Sequence, residues 1–174
     1  MKTCRVCSKE FEPRYNTMQR VCSVDCSIDA ARLDRENEYR KETRKRKKKL
    51  QSEDRGYQLK KAQETFNAYI RLRDDKQPCI SCGRHHQGQY HAGHYRTVKA
   101  QSSLRFHEFN CHKQCSACNN HLSGNITEYR INLEKKIGEK NLAWLEKDHP
   151  PQKLTIEEIK EIRNYYKGKI KCLK

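Results

Sequence analysis

The sequence predicts a small α+β fold stabilised by zinc. Three observations carry this: cysteines in close pairs, an apolar content of only 34%, and helical apolar stripes on either side of a short cysteine-rich insert. A chain of 174 residues with that content cannot build one large core, so metal ions are expected to supply part of its stability. No stretch is apolar for long enough to span a bilayer, and no membrane partner is expected. Met1-Lys2-Thr3-Cys4 carries no apolar leader core, so the ten cysteines suit metal ligation in a reducing compartment, the cytoplasm, better than disulfides. Lysine and arginine number 38 against 22 acids, a formal charge of +16, which is the electrostatic footprint of a phosphate-backbone partner.

Three zones follow in order. Residues 1–30 read as a zinc knuckle: Cys4 and Cys7, then fourteen residues, then Cys22 and Cys26. Phe11, Pro13, Tyr15 and Val21 are expected to pack around the metal, and Cys26 to open a helix through Ala30 and Ala31. Residues 31–56 read as a basic helical arm or linker, with helical propensity but no core-facing stripe. Arg44, Lys45, Arg46, Lys47, Lys48 and Lys49 at its centre are candidate nucleic-acid-binding residues, giving affinity that is indifferent to sequence and falls steeply with salt. Residues 57–174 hold the rest. Leu59, Ala62, Phe66, Tyr69 and Arg73 recur at helical spacing until Asp74, Asp75 and Pro78 stop the helix. Further helices are expected from Asn125, capped by its own side chain, to about Gly138, around Leu142 and Trp144, and from a Thr155–Glu158 capping box.

Between the first and second of these helices, Cys79 and Cys82 pair with Cys115 and Cys118 as a second zinc quartet. The insert they bound contains residues suited to phosphodiester hydrolysis, which needs a water nucleophile, a base and positive charge at the transition state. His94, in a short stretch able to form a β-hairpin, suits the base because imidazole titrates near neutrality. His91, His112 and Asn119 can offer ligands to a catalytic divalent ion, Mg²⁺ or Mn²⁺, with imidazole favouring Mn²⁺. Cys111 is an alternative fourth sulfur to Cys115, and Cys172 reads as an unpaired thiol. His85, His86, His107 and His149 read as structural, while His121 could face a groove or solvent.

The arrangement resembles the zinc-stapled HNH, or ββα-metal, endonucleases. In Met1-Lys-Thr-Cys-Arg-Val-Cys7, Cys22-Ser-Val-Asp-Cys26, Ala92-Gly-His-Tyr95, Leu104-Arg-Phe106, Asn110-Cys-His112, Gln114-Cys-Ser-Ala-Cys-Asn119 and Leu122-Ser-Gly-Asn125 it more narrowly resembles the phage recombination endonuclease family NinG, also called Rap. The resemblance implies His94 as general base, Asn110 as the asparagine that holds the loop, Asn119 as a metal-binding position, and His112 within the catalytic set. It also implies cleavage of branched recombination intermediates such as Holliday junctions and D-loops, in the cytoplasm of a phage-infected bacterium. The family pattern has aspartate where this chain has His91, so imidazole replaces a carboxylate. Symmetric cleavage of a four-way junction needs two sites, so a homodimer is expected, and recombination proteins are candidate partners. The competing function is a non-catalytic zinc-finger adaptor that binds nucleic acid, which explains the charge and both quartets but not the placing of His94, Asn110 and Asn119.

Overall fold

The structure is a computed structural model that describes residues 1–173, in two compact units divided after Glu53. It is a mixture of helices and two small sheets. Among the described residues no helix is long and apolar enough to cross a membrane.

The first unit, Met1–Glu53, holds strands β1 (Lys2–Thr3) and β2 (Glu10–Phe11), paired antiparallel, and helix α1 (Val24–Glu53). The helix runs for 30 residues, about 45 Å at the α-helical rise, without glycine or proline. Only Ala30 on it is buried, so propensity and surface pairs such as Arg40–Glu36 (2.7 Å) and Lys41–Glu38 (3.0 Å) sustain it rather than packing. Tyr15 corrects the expected packing around the knuckle. It is 83% exposed, because the loop that carries it is held instead by Gln19, whose side chain accepts from the backbone N–H groups of Arg14 and Tyr15.

The second unit begins at Asp54, which caps helix α2 (Arg55–Arg73) by accepting from the Tyr57 N–H. Ala62, Phe66, Tyr69 and Ile70 are the buried apolar residues of α2, at three- and four-residue spacing. Strands β3 (Tyr90–His94) and β4 (Cys111–Cys115) pair antiparallel in the register Tyr90↔Cys115, His91↔Gln114, Gly93↔His112 and His94↔Cys111. Directly opposed residues share a face, so this register sorts the hairpin into two sides. Ala92 and Cys111 pack with Phe66, Tyr69, Ile70 and Tyr166, the last on helix α5 (Ile156–Cys172). Behind the other side, helices α3 (Ile126–Ile137) and α4 (Glu139–Glu146) bring Tyr129, Leu133, Leu142 and Leu145 together with Tyr95 and Leu104. The Tyr129 hydroxyl donates to the Gly93 carbonyl at 2.9 Å, and a side chain at Gly93 would collide with Gln114.

The Thr155 hydroxyl accepts from the Glu158 N–H, and the Glu158 carboxylate accepts from the Thr155 N–H, which completes the capping box of α5. Asn125 departs from expectation. It stands before α3 in a left-handed conformation (φ 43°) and its side chain makes no capping bond. The preceding Ser123 and Gly124 also have positive φ, so the chain enters the helix through a left-handed turn and not in the extended conformation that a capping side chain requires.

Candidate metal centres and active-site groups

Cys4 and Cys7 lie on the β1–β2 connection, Cys22 just before α1 and Cys26 in its first turn. Their four sulfurs lie within 4.8 Å of one another, with Cys7–Cys22 at 3.5 Å and Cys22–Cys26 at 3.6 Å. Tetrahedral zinc with Zn–S bonds near 2.3 Å places sulfurs about 3.8 Å apart, so the quartet could hold a zinc ion. Neighbouring thiols, Cys7 first, push the Cys22 pKa up to about 12, while the backbone N–H of Cys7, foremost among several, lowers Cys4 to about 6. The four thiols cannot all ionise cheaply without a cation among them.

Cys79, Cys82, Cys115 and Cys118 form the second such group, also within 4.8 Å. Gly83, at φ +64°, closes the turn that brings Cys82 back beside Cys79, and the Cys115 N–H donates to the Cys79 sulfur at 3.3 Å. Cys111 is not part of this quartet. Its partner across the hairpin is His94, it is fully buried against Phe66 and Ile70, and burial raises its thiol pKa, so it stays a protonated core residue. Among the described residues, the two quartets are the sole groups of three or more His, Cys, Asp or Glu side chains close enough to share an ion.

His94 ends β3 half-buried, its ring 6.1 Å from that of Phe66. Its Nε2 lies 2.9 Å from the carbonyl oxygen of Arg105. A carbonyl can only accept, so Nε2 carries the hydrogen and Nδ1 of the neutral ring keeps its lone pair. Burial pushes the His94 pKa below the ordinary imidazole value, which favours that neutral form. The Cys111 thiol, 3.7 Å from Nδ1, is at most a weak donor to it.

Asn110 is wholly buried. Its amide oxygen accepts from the Arg96 N–H (2.8 Å) and its amide nitrogen donates to the carbonyls of Arg96 (3.0 Å) and Leu104 (3.1 Å). It thus holds the loop between the strands, including the turn that presents the Arg105 carbonyl. His112 is 2% exposed, with Nδ1 beside the Arg73 guanidinium (2.9 Å) and Asp74 carboxylate (3.4 Å) and Nε2 3.2 Å from the Phe109 carbonyl. Both ring nitrogens are engaged inside the protein, so His112 is a buried link and has no open face for a reacting group. His91 leaves the hairpin on the side of Gln114, opposite His94, and its Nε2 is buried without a hydrogen-bond partner. Asn119 sits half-buried in the π-helical turn Ala117–His121, its amide nitrogen donating to Asn120 at 2.7 Å. His121 is exposed on the same turn. His107 and His149 stack on Trp144 at 4.8 and 4.4 Å, and His86 Nε2 lies 3.1 Å from the Cys82 sulfur.

Sequence reasoning reads Asp74 as a helix stop and no more. The structure makes it a hub: 3% exposed, it faces Arg73 (2.8 Å), His112 (3.4 Å) and Lys136 (3.3 Å) and accepts from the Lys113 N–H. Burial alone would raise its pKa, but hydrogen bonds from His112 and Arg73 and the nearby positive charges hold it far below the carboxylate range. The signal in the sequence is Arg73, a charge falling on the apolar stripe of α2.

The fold and these groups define a small α+β protein with two cysteine quartets that could each hold zinc. A sequence model of the family described as "Bacteriophage Lambda NinG protein" matches residues 1–174. The chain belongs to this NinG family. Relatives include Protein ninG of Escherichia phage lambda, 41% identical over 97% of this chain and 90% of the relative, and Protein ninG of Salmonella phage P22, with the same identity and coverage. Protein ninG of Escherichia phage 933W is 36% identical over 99% of this chain and 94% of its own length. No solved structure matches.

Proposed function

We propose that this chain is a metal-dependent endonuclease that hydrolyses phosphodiester bonds in branched DNA, four-way junctions and D-loops among them, through a zinc-stapled HNH core. The observation that carries the reading is the His94 Nε2–H bond to the Arg105 carbonyl, which leaves Nδ1 as a base at the end of a hairpin. Supporting it, β4 runs straight into the helical turn that bears Asn119, and the second quartet fastens that junction to the start of the insert. The formal charge of +16 suits a polyanionic substrate.

In this reading Nδ1 of His94 takes a proton from a water molecule as the water oxygen bonds to phosphorus and the bond to the 3′ oxygen breaks, the departing oxygen taking up a proton from solvent. The products carry a 5′-phosphate and a 3′-hydroxyl. Asn119 offers an amide oxygen to a divalent ion, Mn²⁺ or Mg²⁺, whereas His91 leaves the hairpin on the face opposite His94 and would not hold an ion that also sits beside Nδ1. Such an ion, when bound, supplies positive charge to the phosphate and leaving oxygen. Asn110 keeps the Arg105 carbonyl in place, which makes it a positioning residue. A homodimer would supply the two sites that symmetric cutting of a junction needs.

The test is a labelled four-way junction incubated with the purified chain in Mn²⁺, Mg²⁺ or EDTA. Cleavage that stops on chelation and falls about 10²–10⁴-fold in His94→Ala, with binding retained, is the expected result. Because burial depresses the base, the acid limb of the rate should rise with pH below about 6.5, the ordinary imidazole value. A His94→Ala chain that cuts as fast as the parent removes the base, and a parent that binds the junction without ever cutting it favours the adaptor.

A further inference from the structure

A cavity of about 460 Å³ opens in the second unit between α5 and the loop that follows β3. Phe106, Tyr165 and Tyr166 give it aromatic walls, and Ser102, Gln152 and Glu161 give it polar ones. Its volume is that of a small-ligand site. Tyr165 is 58% exposed although aromatic; it meets Tyr166 edge to face at 5.1 Å and the Lys169 ammonium stands 5.0 Å from its ring centroid, so the ring is held in place while much of it stays exposed. Ser103 and His107 also line it, with Ser103 Oγ and His107 Nδ1 buried and without a hydrogen-bond partner.

Two arginines flank this cavity. Arg55 donates to the carbonyl of Leu154 in its wall at 2.8 Å, and Arg105 immediately precedes Phe106. Among the described residues neither has a carboxylate partner, and Arg105 makes only a long bond to the Gln63 amide oxygen (3.3 Å). After burial, the nearby charge of Arg55 is what most disfavours the Arg105 cation, so an anion beside Arg105 would favour it. The same peptide segment forms the cavity wall at Phe106 and holds the ring of His94 through the Arg105 carbonyl.

We propose that this cavity receives a single unpaired nucleobase of the DNA, stacked on Tyr165 and Phe106 and hydrogen-bonded at its edge by Glu161 or Gln152, with its phosphate between Arg55 and Arg105. The inference rests on the reading of DNA as substrate and adds to it a means of recognising a branch point. Bases at a junction are unpaired or cheaply unstacked, whereas those of a linear duplex are not. Aromatic stacking serves any base, so recognition would follow structure and not sequence.

Binding of the full chain in EDTA tests it. The probes are a duplex with one bulged 2-aminopurine, the same duplex with an abasic bulge, and a fully paired duplex. The parent should bind the base-bearing bulge about tenfold more tightly than the abasic one and quench its fluorescence. Tyr165→Ala, a change at an exposed position, should equalise the two bulges and abolish quenching without altering affinity for the paired duplex, and Tyr165→Trp should keep the preference. Equal binding of the two bulges by the parent, or a preference that survives Tyr165→Ala, overturns the proposal. Since no hydrolysis is needed, a preference in a chain that never cuts in Mn²⁺ or Mg²⁺ would stand while the nuclease reading fell. Cutting without the preference would do the reverse.

Discussion

The two cysteine quartets have like chemistry and unlike surroundings. In the first, Cys4 is buried, Cys7 is exposed, and the unit around them buries only Ala30 besides. In the second, Cys79, Cys115 and Cys118 are buried at one end of a hairpin that already lies between two apolar clusters. The difference teaches that one ligand set can have two structural uses. In the first unit a cation would stand in for a core, and in the second it would fasten the ends of an insert whose core exists without it.

Chelation should break this equivalence with the largest effect. Structural zinc contributes on the order of 10 kcal/mol to the folding of small modules, so its removal should abolish hydrogen-exchange protection through β1, β2 and the start of α1. Trp144, the chain's one tryptophan, stacks between His107 and His149 in the second unit and should keep its emission longer. Simultaneous loss of both signals at the same chelator concentration would show that the second unit leans on its metal just as heavily.

Asp74→Asn should come next and should act on the second unit alone. It leaves Arg73 and Lys136 beside a neutral group in a largely buried setting, which costs about 3–5 kcal/mol when one partner of a buried ion pair is lost. Because the folded carboxyl is depressed, its stabilisation is fully present above the unfolded value near 3.9 and is lost as pH falls toward the lower folded one. Acid titration of the parent, followed by Trp144 emission, should therefore show stability declining below about pH 4, and the variant should lack that component. A variant as stable as the parent at about pH 7 would mean the surrounding charges are satisfied by water.

What the sequence makes legible is what its local spacing encodes. Pairs of cysteines three or four residues apart, the stripe on α2 and the Thr155–Glu158 box each depend on neighbours within a few positions, and the structure shows two quartets, the helix and the cap. Burial of Asp74 depends on Arg73, His112 and Lys136, drawn from three separate segments, and no local pattern states that they meet. The same holds for His94. Its type and place between the quartets mark it as a candidate base, but the carbonyl that selects its tautomer lies eleven residues away across a loop held by Asn110. Cys111 and Asn125 show the converse. Residue type suggests a ligand and a cap, whereas the register of β3 on β4 buries the one and a left-handed turn reorients the other.

The basic arm should give the smallest change in stability and the clearest one in binding. All six side chains from Arg44 to Lys49 are exposed on α1 and, among the described residues, none forms an ion pair, so replacing them with glutamine should leave both units folded. Each cation that neutralises a phosphate contributes roughly 0.9 to the slope of log affinity against log salt, so loss of several should flatten that slope by several units on any DNA sequence. Affinity measured from about 50 to about 200 mM salt, where counterion release dominates, reads this directly. If the slope holds while cleavage of a junction disappears, the arm is not a phosphate clamp and the cations act on the site itself.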